Sequence, residues 1–136
     1  MNLALCIFVG GILHFGILLA SASVPQVLDW KASLAPLQRL TRQIVWVHGA
    51  FIVLVIVACG VVSVALPQEL AAGTPLARAV CGFIALFWAA RLGVQFFVFD
   101  AKPYLTSVLT RAGYHGLTAV FAYHAVVYGL AAVWRA

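Results

Sequence analysis

Four long apolar stretches constrain this chain more than any other feature of its sequence. They cover residues 2–22, 44–66, 76–99 and 114–134. Each is about 20 residues long, enough at ~1.5 Å per residue for a helix to cross a hydrocarbon layer ~30 Å thick. Because lipid offers the backbone no hydrogen-bonding partner, a segment in that environment must satisfy its own peptide groups as a helix. The sequence therefore predicts an all-α integral membrane protein, with four transmembrane helices in a single domain, residues 1–136.

The composition agrees with a membrane location. Hydrophobic residues make up 65% of the chain and charged residues 8%, whereas soluble domains are roughly half apolar and a quarter charged. The net charge is +5, but no basic run is interleaved with aromatic residues, so we expect no nucleic-acid partner. The positive charge indicates orientation and contact with anionic lipid instead. The expected partners are the lipid bilayer and either other membrane subunits or further copies of the chain.

The connections favour an up-down-up-down bundle. Leu66-Pro67 ends the second stretch. Thr74-Pro75 places a capping residue before a proline in the first turn of the third helix. Because the connection between them is short, the second and third helices are expected to be antiparallel neighbours.

The connection between the first two helices is the longest and is expected to form an amphipathic segment at the membrane surface. Its apolar residues recur at near-helical spacing, and Trp30 is typical of an interface anchor. We expect this segment to be helical but interrupted near Pro25 and Pro36.

The distribution of lysine and arginine indicates the orientation of the bundle. Five basic residues fall in the first and third connections and two on the opposite side: Lys31, Arg39, Arg42, Lys102 and Arg111 against Arg78 and Arg135. Since basic residues are enriched on the cytoplasmic side, both termini are expected outside the cytoplasm, in a bacterial inner membrane.

The end of the first stretch also resembles a signal-peptidase site, at Ala20-Ser21-Ala22. However, no basic region precedes the stretch, and it is longer than the apolar region of an ordinary signal peptide. We therefore expect the first helix to be retained.

Arg91 lies inside the third apolar stretch, where a guanidinium costs roughly 3 kcal/mol on insertion scales. Trp88, Arg91 and Gln95 share one face of the predicted helix. This polar face predicts a buried site in which Trp88 stacks on the guanidinium. The alternative is that Arg91 extends toward the cytoplasmic surface or pairs with Asp100 at the helix end.

His14 and His124 are expected at similar depths, about 13 Å and 16 Å from the cytoplasmic edge at ~1.5 Å per residue. Two histidines from different helices near the midplane suit the axial ligation of a haem iron, so these two are the candidate metal ligands. The glycines Gly10, Gly11 and Gly16 would make room for a macrocycle. The alternative is that the histidines form hydrogen bonds between helices and serve packing alone.

The other candidate residues lie nearer the cytoplasmic edge. Arg91 and Gln95 would bind haem propionates or hydrogen-bond a quinone, and His48 is expected to share their cluster. His115 lies nine residues before His124, so the two point to roughly opposite sides of their helix. The full set of predicted cofactor-binding residues is His14, His48, Trp88, Arg91, Gln95, His115 and His124.

These residues favour membrane electron transfer through a haem b or quinone bound in the cytoplasmic half of the bilayer. Two alternatives remain open. One is a non-catalytic accessory or assembly subunit of a larger membrane complex. The other is a small membrane-embedded enzyme or transporter that uses His48, Arg91 and His115.

The sequence contains no motif that assigns a catalytic residue. No phosphate loop, zinc-protease or hydrolase pattern occurs, and the only acids are Asp29, Glu69 and Asp100. The three cysteines form no CxxC pattern and are expected to be apolar packing residues, although their similar depth permits a disulfide; they are Cys6, Cys59 and Cys81.

Overall fold

The structure, a computed structural model, describes residues 1–135, and within them all regular structure is helical. We label the α-helices α1 to α7 in chain order. Their bounds are α1 Leu3–Ser21, α2 Val24–Val27, α3 Trp30–Leu34, α4 Arg39–Ala65, α5 Pro67–Ala71, α6 Pro75–Phe97 and α7 Val108–Val133, with one 3₁₀ turn at Lys102–Tyr104.

The four long helices, α1, α4, α6 and α7, correspond to the four apolar stretches. Each is long and apolar enough to cross a membrane, which indicates a membrane location. The prediction of an all-helical chain with four such helices is therefore confirmed.

Two of these helices begin earlier than their apolar stretches. Helix α4 begins at Arg39 rather than at residue 44, and α7 begins at Val108 rather than at residue 114. A helix can begin with polar residues, so its first turn can lie outside the apolar stretch. In α7 the capping residue marks the start. In α7 the Ser107 side chain accepts from the Thr110 N–H, and the Thr110 hydroxyl accepts from the Ser107 N–H, which closes a capping box.

The start of α6 has the predicted cap. Thr74 accepts from the Ala77 N–H through its hydroxyl, and Pro75 occupies the first helical position. The preceding turn needs Gly73, whose φ of 72° lies in the left-handed region. The connection before it is not a plain loop, because Pro67–Ala71 forms the short helix α5, which packs against α1 and α6.

The long first connection folds into the short helices α2 and α3. Chain breaks fall just before Pro25 and around Pro36, as predicted. A third break, at Asp29, was not predicted. Asp29 adopts a left-handed conformation (φ 46°, ψ 60°) and its carboxylate accepts from the Ala32 N–H at 3.4 Å, which caps α3.

Helix α1 lies at the centre of the bundle. It packs against α4 and α7, and α6 packs along α7. The apolar core includes Ile7, Ile56, Cys81, Ile84 and Tyr128. The buried residues of α4, from Ile56 to Ser63, all lie in the second half of that helix, so its first half projects away from the core.

The contact between α1 and α4 depends on glycine. A Cβ added at Gly11 would meet Val64 Cγ2 at 2.7 Å and the Val64 backbone nitrogen at 2.9 Å. Because a backbone atom cannot rotate away, the helices would have to separate. By contrast, a Cβ at Gly16 would meet nothing within 4 Å.

We therefore predict that Gly11→Ala lowers the free energy of unfolding by about 1–3 kcal/mol, as overpacking of a dense interface does. The measurement is the loss of helical circular dichroism during denaturation in mixed micelles. Gly16→Ala on the same helix is the control and should be neutral or slightly stabilising. Equal stability of the two variants would contradict the close α1–α4 contact.

Candidate functional site

His14 of α1 and His124 of α7 meet at the centre of the bundle. Both side chains are completely buried. Their ring centroids lie 4.1 Å apart, and His14 Nδ1 lies 3.0 Å from His124 Nε2. The two candidate metal ligands are thus in direct hydrogen-bonding contact.

A backbone carbonyl of α1 joins this pair. The Gly10 oxygen lies 2.7 Å from His14 Nδ1 and 2.9 Å from His124 Nε2. His124 Nδ1 donates to the Val120 carbonyl of its own helix at 2.7 Å. Each histidine therefore uses the carbonyl four residues earlier. A neutral His124 with its proton on Nδ1 has only an acceptor at Nε2, so the hydrogen bond from His14 Nδ1–H to His124 Nε2 connects α1 with α7.

Trp88 of α6 fixes the orientation of His14. The buried indole Nε1–H donates to His14 Nε2 at 3.0 Å. An indole nitrogen can only donate, so a neutral His14 carries its proton on Nδ1, which faces Gly10 and His124. Trp88 thus belongs to the histidine cluster.

Tyr128 and Ser63 extend the cluster to α4, and sequence reasoning did not select either as a site residue. The Tyr128 hydroxyl donates to Ser63 Oγ at 2.7 Å, and the ring of Tyr128 stacks on that of His124. The position of Tyr128, four residues after His124 and so on the same helix face, is the sequence signal that could have identified it. Residues of all four long helices therefore meet in one buried cluster, in which the Tyr128–His124 ring contact links two sets of hydrogen bonds. We call it the central network: Gly10, His14, Ser63, Trp88, His124 and Tyr128.

Arg91 lies one helical turn beyond Trp88 and between two aromatic rings. Its guanidinium carbon is 5.1 Å from the ring centroid of Phe99 and 5.4 Å from that of Phe121. Both distances are typical of cation–π contacts. Phe121 in turn stacks on Trp88, with centroids 4.9 Å apart. Arg91 reaches the central network through Phe121, whereas the sequence had suggested direct stacking on Trp88.

The buried Nη1 nitrogen of Arg91 has no hydrogen-bond partner within residues 1–135. Asp100, considered as its ion-pair partner, accepts from the Lys102 backbone N–H at 3.2 Å instead. A buried donor without an acceptor costs about 1–3 kcal/mol, and more when it is charged.

Gln95 lies next to a surface groove. Its buried side-chain amide donates to the Thr118 hydroxyl, which donates to the Tyr114 carbonyl at 2.9 Å. The groove has a volume of about 290 Å³, and Gln95, Phe99 and Tyr114 are among the residues that line it. Phe99 lines this groove and also contacts the Arg91 guanidinium, although Arg91 itself is not among the lining residues. We call this surface the Arg91 groove after that contact.

His48 and His115 lie on the exterior. Both are exposed; His48 Nδ1 contacts the Ile44 carbonyl of its own helix at 2.9 Å, and the His115 ring packs edge-on against Tyr114. The seven predicted site residues therefore fall into three groups: the central network with His14, Trp88 and His124, the groove region with Arg91 and Gln95, and the two exterior histidines.

The cysteines form no disulfide in the structure. Cys59 and Cys81 are buried, Cys6 is partly buried, and all three thiols are free. Among residues 1–135, no group of three or more histidine, cysteine or acidic side chains is arranged to hold a metal ion.

Comparison of the chain with protein-family models, with curated proteins and with solved structures found no match. Function is therefore inferred from the geometry of the central network and of the Arg91 groove.

We predict that Trp88→Phe lowers the free energy of unfolding by about 1–3 kcal/mol, because it leaves His14 Nε2 buried without a donor. Denaturation in mixed micelles, followed by circular dichroism, measures this change. Trp134→Phe, at an exposed position near the end of α7, is the matched control. A loss no larger than that of the control would contradict the hydrogen bond from Trp88 to His14.

Proposed function

We propose that this protein crosses the membrane four times, in an up-down-up-down arrangement with both termini outside the cytoplasm. The contacts of α1 with α4 support opposite directions, because Gly11 lies beside Val64 while His14 lies beside Gly60. The excess of basic residues in the first and third connections supports the orientation.

The contacts of α6 and α7 support the same arrangement. Arg78, in the first turn of α6, donates through Nε to the Ala132 carbonyl, in the last turn of α7, at 2.8 Å. The start of one helix therefore lies against the end of the other. In the proposed orientation, Arg91 and its groove lie in the cytoplasmic half of the bilayer.

We infer that the protein binds an apolar ligand with an acceptor oxygen at this groove, and that a membrane quinone is the best candidate, as part of membrane electron transfer. The observation that carries this proposal is the buried, unpartnered Nη1 of Arg91. Because Phe99 both lines the groove and contacts the guanidinium, a movement of its ring would let a ligand carbonyl reach Nη1 and remove the cost of the unsatisfied donor. An apolar pocket with a few convergent polar groups is the usual form of a small-molecule site.

The surroundings of Arg91 support a flat, apolar head group. Phe99 is exposed and lines the groove, so its ring can pack against a planar ligand, whereas Phe121 is buried against Arg91 and Trp88. Gln95, Asp100 and Lys102 supply polar groups at the lining of the groove. The volume of about 290 Å³ is near the lower end of the range for ligand pockets. It suits a head group whose apolar tail extends into lipid.

Haem b is the less favoured cofactor. The proximity of His14 and His124 supports it, since both ligands would come from the centre of the bundle. However, a metal held between two imidazole nitrogens lies about 2 Å from each, as with zinc, and a linear arrangement would need the nitrogens roughly 4 Å apart. The observed separation is 3.0 Å, so α1 and α7 would have to move apart to admit a haem.

We predict that Arg91→Ala weakens the binding of a short-tailed benzoquinone by about 10- to 100-fold, the effect of losing a hydrogen bond from a charged donor. Isothermal titration of the protein in detergent measures the affinity. Arg39→Ala, at an exposed position, is the control and should bind like the unchanged protein.

Two results would overturn the quinone proposal. One is equal affinity of folded Arg91→Ala and Arg39→Ala. The other is a haem Soret band in the protein extracted from haem-sufficient cells, lost in both His14→Ala and His124→Ala, which would establish haem as the cofactor.

A second candidate function is that of an accessory subunit that packs against other membrane subunits or further copies of the chain. It is favoured by the first half of α4, residues 39–55, in which no residue is buried. This half includes the exposed His48. A polar side chain on a membrane helix is expensive in contact with lipid and usually faces another helix or water.

If α4 packs against a partner, the gently extracted protein should have a native mass above that of the monomer, and His48→Ala should shift it toward the monomer. His115→Ala, which removes an exposed histidine of α7, is the control and should leave the mass unchanged. A monomeric mass for the unchanged protein would argue against this function.

A further inference from the structure

A second groove lies between the short helices α2 and α3 and the start of α4. It has a volume of about 500 Å³, and its lining includes Gln26, Trp30, Lys31, Arg42 and Trp46. It is separate from the Arg91 groove and shares no lining residue with it. No part of the proposed quinone function uses it.

An aromatic contact joins the two segments of the chain that form this groove. The rings of Trp30 in α3 and Trp46 in α4 pack edge to face, with centroids 5.1 Å apart. Lys31 follows Trp30, and Arg42 lies one helical turn before Trp46. The tryptophan pair therefore holds a lysine and an arginine from different helices at the same groove.

The two basic side chains have no protein anion to neutralise them. Within residues 1–135, neither Lys31 nor Arg42 forms an ion pair or a side-chain hydrogen bond, and no carboxylate lines the groove. The neighbouring acid, Asp29, uses its carboxylate to cap α3 at the Ala32 N–H. The charge at the groove is thus positive and available to a ligand.

We propose that this groove binds the phosphate of an anionic phospholipid headgroup. A guanidinium matches two phosphate oxygens at once, and an ammonium adds a compact point charge. Tryptophan is enriched at the headgroup level of membranes, and basic pockets there bind lipid headgroups. In this arrangement Arg42 and Lys31 contact the phosphate from two sides, while Trp30 and Trp46 pack against the glycerol and upper acyl chain.

Lipid bound in this groove would hold the first connection, which contains α2 and α3, at the membrane surface. Helices α2 and α3 have no buried residue of their own. A lipid phosphate held by both α3 and α4 would fix this segment against the bundle. The inference rests on the proposed membrane insertion but not on the ligand at Arg91.

The test measures phosphatidylglycerol binding by native mass spectrometry of the full chain in a neutral detergent. The double variant Lys31→Ala/Arg42→Ala should lower the affinity about 30-fold, since each basic residue at a membrane surface contributes about five-fold. The control, Arg39→Ala/Lys102→Ala, loses the same net charge outside the groove and should retain nearly the affinity of the unchanged protein.

Three comparisons make the outcome decisive. Equal losses in the two double variants would overturn the site and indicate general electrostatic attraction. Binding of phosphatidylcholine as tight as that of phosphatidylglycerol would overturn its selectivity for an anionic lipid. Competition by inorganic phosphate at a concentration similar to that of the lipid would show a site for free phosphate.

Two further variants keep the result interpretable. Arg42→Gln retains a polar side chain of similar length, and it should still weaken lipid binding about five-fold; unchanged binding in this folded variant would contradict the proposal. Arg91→Ala should bind phosphatidylglycerol like the unchanged protein, so a failure of the quinone proposal and a failure of this one are distinguishable.

Discussion

The centre of the bundle depends on the contact between His14 and His124. The Gly10 carbonyl also accepts from His14 Nδ1. In an apolar interior, an imidazole nitrogen without a partner is costly, and here the Nε2 nitrogen of each histidine finds its partner on another helix. Trp88 adds α6 to the cluster, and Tyr128 with Ser63 adds α4. Apolar helices in lipid have little hydrophobic reason to choose one packing over another. Directional hydrogen bonds between the helices favour one packing over the others.

The histidine contact also determines where Arg91 lies. Once Trp88 donates to His14, its ring is fixed, and Phe121 stacks on it. Phe121 then forms one side of the aromatic clamp on Arg91, with Phe99 on the other. The guanidinium is held between aromatic rings with its buried Nη1 unpartnered in the described part of the chain, and one of those rings, Phe99, also lines a groove. The packing of the central network thus accounts for the unpartnered donor on which the proposed ligand site depends.

Hydropathy predicted the number and type of the main helices because lipid-spanning segments must be long, apolar and helical. It did not predict where α4 and α7 begin, because hydropathy marks only the apolar part of a helix, and in α7 the Ser107 cap sets the start in polar sequence. In the site, equal depth pointed to His14 and His124. Sequence alone could not give the stacking partner of Arg91, because that depends on which helices are neighbours and Phe121 comes from another helix. Ser63 carried no signal, since a lone serine in an apolar helix commonly bonds to its own backbone.

The central claim is that Arg91 presents a free donor to a ligand oxygen in the cytoplasmic half of the membrane. An experimental structure of the protein in lipid, saturated with a short-tailed benzoquinone, tests this most directly. The account predicts a quinone oxygen at about 2.7–3.2 Å from Arg91 Nη1, with the ring beside Phe99. A quinone bound elsewhere, or an empty Arg91 groove at saturation, would contradict it.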